Sequence, residues 1–73
     1  MKTIIITGGA SGIGLAITTL FADKGHNVFF LDYNEENGEA IEESLNQKGK
    51  KATFLQCDVS VLEQVKSVFE KIP

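Results

Sequence analysis

Three consecutive β-branched residues, Ile4, Ile5 and Ile6, run into the octapeptide Thr7-Gly8-Gly9-Ala10-Ser11-Gly12-Ile13-Gly14. An uninterrupted apolar run of this kind fits a strand buried on both faces of a parallel sheet, because a half-exposed strand would alternate apolar with polar residues. The glycines predict a turn. Beyond them Ile13, Ile17, Leu20, Phe21 and Lys24 fall at i, i+4, i+7, i+8 and i+11, an apolar helical stripe whose last position is a lysine before Gly25. Strand, glycine loop and helix in that order point to an α/β architecture.

The rest of the chain repeats the alternation. Val28-Phe29-Phe30-Leu31 is a second buried strand, bounded by Gly25-His26-Asn27 and Asp32. Asn34 followed by Glu35 and Glu36 reads as an N-cap with acids in the first turn, and Ile41 with Leu45 supplies a narrow apolar stripe before Gly49. Ala52 to Cys57 mixes apolar and polar residues behind Lys50 and Lys51, which suits an edge strand. Ser60-Val61-Leu62-Glu63 matches a capping box, with Leu62, Val65, Phe69 and Ile72 as the seam of a third helix that stops by Pro73. Strands joined by helical crossovers cannot return as hairpins, so βαβαβα predicts three parallel strands in the order 3-2-1, the N-terminal half of a doubly wound fold. In the full order 3-2-1-4-5-6 a fourth strand flanks residues 4 to 6. Its absence leaves an all-isoleucine edge and an incomplete sheet, so we expect either a truncated chain or a partner, including a second copy, that completes the sheet.

Composition narrows the function. The 73 residues suffice for one small domain or a piece of one, and 42% hydrophobic with 23% charged residues is the balance of a folded chain. Seven Lys+Arg against ten Asp+Glu give a net charge of -3, without the positive field that nucleic acid requires. The lone Cys57 forms no internal disulfide, no Cys/His spacing suggests a metal site, and a reducing cytoplasm is the expected location. Cys57 reads as a small buried apolar residue, since no histidine neighbours it in sequence to activate the thiol, and His26 reads as a surface loop residue. The first apolar run is too short for a signal peptide or a membrane span.

The glycine loop lies where backbone amides and a helix N-terminus can receive a pyrophosphate. Gly8 permits the tight turn, Gly12 the close approach of the phosphates, and Gly14 the packing of helix on strand. The plain alternative is a structural strand-to-helix turn. The spacing departs from GxGxxG, with Ile17 where the last small residue belongs, and no Gly-Lys-Ser/Thr follows for a triphosphate. Asp32 ends the second strand 18 positions after Gly14 (32 − 14), close to the interval at which an acid meets the adenosine ribose. A carboxylate accepts from both ribose hydroxyls and repels a 2′-phosphate, so NAD is expected over NADP. Neither Ser11 nor Tyr33 supplies a compensating cation. Asp58 and Val59 follow the third strand on the same carboxyl edge, suited to the adenine amino group and a ring nitrogen. Their plain alternatives are a turn acid at Asp32 and a turn before the Ser60 cap at Asp58.

With these residues in place, the whole chain resembles the N-terminal portion of the short-chain dehydrogenase/reductase family. The family pattern TGxxxGxG stands as Thr7-Gly8-Gly9-Ala10-Ser11-Gly12-Ile13-Gly14, its strand-end acid as Asp32 and its Asp-Val adenine motif as Asp58-Val59. The resemblance implies a Rossmann fold with the dinucleotide pyrophosphate at Ser11 to Ile13, ribose at Asp32 and adenine at Asp58 and Val59. It also implies hydride transfer between a nicotinamide and an alcohol or carbonyl substrate. The family's Tyr-x-x-x-Lys pair, serine and Asn-Asn-Ala-Gly segment are absent, and Tyr33 is followed four residues later by Asn37. No catalytic residue is therefore assigned, the 73 residues alone are expected to be inactive, and a small substrate is expected only in a longer chain. Two other readings remain: a non-enzymatic nucleotide-binding or assembly module that pairs first strands, and a half-fold that binds FAD or S-adenosylmethionine.

Overall fold

The computed structural model describes residues 1–73 as β1 (Thr3–Thr7), α1 (Gly12–Asp23), β2 (Asn27–Asp32), α2 (Glu35–Gln47), β3 (Ala52–Gln56) and α3 (Leu62–Glu70). The three strands form one parallel sheet with β2 in the middle, in register from Thr3↔Asn27 to Thr7↔Leu31 and from Val28↔Ala52 to Asp32↔Gln56. Both expectations, parallel pairing and the order 3-2-1, hold. β2 lies between the other two strands, and it is the strand buried on both faces, with Val28, Phe29, Phe30 and Leu31 all removed from solvent. No helix is long and apolar enough to cross a membrane.

Alternation along β2 divides the core in two. Val28 and Phe30 meet Ile6, Ala10, Ala22, Leu45 and Ala52, with Ile4, Phe21, Ile41 and Phe54 packed around them, on the face covered by α1 and α2. Leu31 joins Cys57 and Val68 on the opposite face, with Leu55, Val65 and Ile72 alongside, beneath α3. Each large side chain removed from water in this way contributes about 1.5–3 kcal/mol. Asn34 caps α2 as its sequence predicts, its side-chain oxygen accepting the Asn37 amide at 3.0 Å.

Four local expectations are corrected. The stripe expected to bury α1 lies on its flank: Ile13 and Leu20 are exposed, whereas Thr18 and Ala22 face the sheet. The reason is proximity, because α1 starts hard against the β1 turn and small residues fit the narrow gap while isoleucine and leucine do not. β1 is not buried on both faces; Ile6 is buried, but Ile5 is 41% exposed at the sheet edge. The capping box does not form: the Ser60 hydroxyl donates to Asp58 at 2.6 Å, and α3 starts one residue later, with Val61 as an N-cap without a side-chain bond. The α3 seam shifts accordingly to Val65, Val68 and Ile72, with Leu62 and Phe69 exposed. His26 stays in the loop before β2 as its sequence suggests, where its Nδ1 accepts the Lys2 amide at 3.1 Å and its ring lies 5.9 Å from that of Phe21.

Candidate functional site

Parallel strands place all their carboxyl ends together, so the loops after β1, β2 and β3 share one edge of the sheet. They are bonded to one another there. The Gly9 amide donates to the Leu31 carbonyl at 3.1 Å, and the Cys57 amide to the Asp32 carbonyl at 3.0 Å. The Asp32 carboxylate adds a second tie: Oδ2 accepts the Ala10 amide and Oδ1 the Asn34 amide, each at 3.0 Å. A carboxylate offers about four lone-pair sites, so two remain for hydroxyl donors. The turn-acid reading of Asp32 thus describes part of what it does.

Gly8 and Gly12 adopt left-handed φ values of +66° and +55°, which glycine takes without steric penalty, and no atom lies within 4 Å of where a Gly12 side chain would project. Ser11 occupies the N-cap of α1 in an extended conformation and makes no side-chain cap bond. The amides of Ser11, Gly12, Ile13 and Gly14 donate to no acceptor in the chain. Four free N–H groups at the positive end of a helix form a surface able to take a phosphate group. Gly14 holds this surface against β1, for a Cβ there would fall 1.8 Å from the Gly8 carbonyl oxygen.

Thr18 is a structural support that sequence reasoning missed. Fully buried, it donates from Oγ1 to the Gly9 carbonyl at 3.1 Å and so fastens α1 to the glycine loop. The available signal was a threonine one helical turn after Gly14, beside the large apolar stripe rather than within it. Thr18→Val keeps the shape but leaves the Gly9 carbonyl without this donor, and is expected to lower stability by about 1–2 kcal/mol in a urea melt. An unchanged midpoint would remove the support role.

Asp58 and Val59 occupy the adjoining loop. Asp58 Oδ1 accepts the Ser60 hydroxyl at 2.6 Å and the Ser60 amide at 3.0 Å, while its own amide donates to Gln64 Oε1 at 2.9 Å. The Ser60 hydroxyl first, and then its amide, hold the Asp58 carboxyl below the usual carboxylate range. The turn is therefore favoured while Asp58 is ionised and loosens as pH falls through that lowered value. The Val59 amide has no acceptor in the chain, and its side chain is exposed. Cys57 is buried. Gly8, Ser11, Gly12, Ile13, Gly14, Asp32, Asp58 and Val59 thus all lie along one sheet edge, which no cavity encloses.

A match to the short chain dehydrogenase family spans residues 2–73. The chain belongs to the short chain dehydrogenase family. Among curated members it is 41% identical over 71 residues to a D-xylose 1-dehydrogenase of Caulobacter vibrioides, covering 97% of this chain and 29% of that protein. It is 43% identical over 70 residues to the 3-oxoacyl-[acyl-carrier-protein] reductase FabG of Chlamydia pneumoniae, covering 96% and 28%. Among solved members, the citronellol catabolism dehydrogenase AtuB of Pseudomonas aeruginosa PAO1 superposes with a TM-score of 0.91 at 31% identity, over 97% of this chain and 30% of that one. An actinorhodin polyketide ketoreductase solved with NADPH superposes with a TM-score of 0.90 at 27% identity, over 97% and 27%. The chain thus spans less than a third of the length of these short chain dehydrogenases, all of them oxidoreductases, and its three strands and three helices match their Rossmann-type fold.

Proposed function

We propose that this chain is a partial Rossmann domain, residues 1–73, that binds the adenosine and pyrophosphate half of NAD. It serves an oxidoreductase that moves hydride between the nicotinamide and an alcohol or carbonyl. The observation that carries this reading is the position of Asp32: its carboxylate ends the central strand, is fixed by the Ala10 and Asn34 amides, and adjoins the unpaired amides of the α1 N-terminus. Ser11, Gly12 and Ile13 receive the pyrophosphate, with Gly8 and Gly14 shaping the loop. Asp32 accepts from the ribose hydroxyls. Asp58 presents its second carboxylate oxygen, and Val59 its free amide, to the adenine edge. Bound here, the dinucleotide supplies the hydride acceptor or donor; the chain's own residues orient it and select the unphosphorylated ribose. They contain no proton donor of the Tyr-x-x-x-Lys kind, so the 73 residues alone have no turnover.

The test compares ADP-ribose with its 2′-phosphorylated counterpart by calorimetry. The parent chain is expected to prefer ADP-ribose by about tenfold or more, corresponding to about 1.4 kcal/mol, and Asp32→Ala to lose most of that preference. Taking a ratio within one variant cancels any general loosening of the loop. A ratio unchanged by Asp32→Ala, or a parent that favours the phosphorylated ligand as its NADPH-bound neighbour would suggest, refutes the NAD assignment.

A second reading has its own observation, the outward edge of β1 with Ile5 exposed. On that reading two copies pair β1 strands and the chain acts as an assembly module. A native mass that doubles with concentration, without dinucleotide affinity, is its distinguishing result.

A further inference from the structure

β1 and β3 are both edge strands, but they present different edges. Along β3, the Lys51 carbonyl accepts from Val28 and the Cys57 amide donates to Asp32, so alternate residues point their backbone groups toward β2. Ala52 and Phe54 consequently point theirs away from it. Neither amide is free. Phe54 donates to Glu42 Oε2 at 2.7 Å and Ala52 to Asn46 Oδ1 at 3.5 Å. Glu42 and Asn46 are one turn apart on α2, and Gly38 lies one turn before them on the same stripe. A Cβ on Gly38 would fall 2.1 Å from the Phe54 ring, so it is the bare backbone there that lets α2 settle over the edge strand.

β1 has no such cover. The Lys2 carbonyl accepts from Asn27, which turns Thr3, Ile5 and Thr7 outward, and no side chain of the protein accepts from their amides.

We propose that Glu42 and Asn46 are an edge guard: they occupy the outward amides of β3 that an incoming strand would need, so that a further strand adds to this sheet only at β1. The guard is effective because an incoming strand must break a short, charge-assisted bond and then bury the released Glu42 carboxylate against its own backbone. Neutral edges lack that penalty. The inference is independent of which dinucleotide, if any, the opposite end of the sheet binds.

Amide hydrogen exchange on the full 73-residue chain tests it residue by residue. In the parent, Phe54 is expected to exchange at least tenfold more slowly than Ile5, although both lie on outer edges. Glu42→Ala should accelerate Phe54 by about tenfold while leaving Val28, in the sheet centre, unchanged. Glu42→Gln should retain most of the protection, because its amide oxygen still accepts. In the chain carrying both Glu42→Ala and Asn46→Ala, protection at Phe54 should return as protein concentration rises, when the strand of a second copy takes over the amide. Equal exchange of Phe54 and Ile5 in the parent overturns the proposal. So does a Glu42→Ala chain that keeps both Phe54 and Val28 protected, or a Glu42→Gln chain that loses Phe54 protection with Val28 intact.

Discussion

Gly14→Ala is expected to unfold most of the chain at 25 °C. The added Cβ would lie 1.8 Å from the Gly8 oxygen, 2.6 Å from its carbonyl carbon and 3.2 Å from the Gly9 Cα. All three are backbone atoms of a turn held by the Gly9–Leu31 and Ala10–Asp32 bonds, so no side-chain rotation relieves the contact. The helix must retreat from the turn, which breaks the Thr18–Gly9 bond and separates Ala22 from the sheet. Ordinary overpacking costs about 1–3 kcal/mol, and a collision with fixed backbone exceeds it. A chain below about 80 residues has about 3–5 kcal/mol of net stability to lose. Circular dichroism during a urea titration measures the outcome, and a native spectrum with an unshifted midpoint would show that α1 does not rest on the β1 turn. At Gly38, by contrast, the atoms nearest to an added Cβ belong to a side chain, the Phe54 ring, rather than to backbone.

Phe30→Ala should be nearly as damaging for the opposite reason. Phe30 is wholly buried in the centre of β2, 5.5 Å from the Phe54 ring, and links the α1 side of the core to the α2 side. Truncating a buried phenylalanine costs about 3–5 kcal/mol, part transfer and part unfilled cavity. The lost aromatic pair is included in that figure, at about 0.5–1.5 kcal/mol. Phe30→Leu retains much of the volume and should lose clearly less, so the two midpoints should fall in the order parent, leucine, alanine. Coinciding alanine and leucine midpoints would contradict the central position of this ring.

What could be read without coordinates follows a physical division. β2, the Asn34 cap and the edge character of β3 are local in origin: an apolar run, an oxygen three residues before an amide, a strand with polar residues interleaved. Asp32 and the glycine loop were legible for a related reason, because parallel strands must deliver their carboxyl ends to one edge whatever packs around them. The inward face of α1 was not legible. Apolar periodicity favoured Ile13, Ile17 and Leu20, but the helix approaches the sheet so closely that Thr18 and Ala22 occupy the interface, a consequence of Gly14 that no period expresses. Ser60 failed as a cap because its hydroxyl and amide both tie it into the Asp58 turn and α3 starts only at Leu62, which puts Val61 at the N-cap position. The Glu42–Phe54 bond spans 12 residues between a helix and an edge strand, and pairing of that kind follows only from how the two elements dock.

The central position of β2 also leaves two equivalent orders in which the chain can assemble. Thr3 pairs with Asn27 and Val28 with Ala52, so each ladder closes a loop of 24 residues (27 − 3 and 52 − 28). Loop-closure entropy depends only on the logarithm of length, and it is the same for both. Neither outer strand has any partner but β2. Folding is thus a race between two crossovers of equal length for one strand, and whichever closes first gives the other a preformed template.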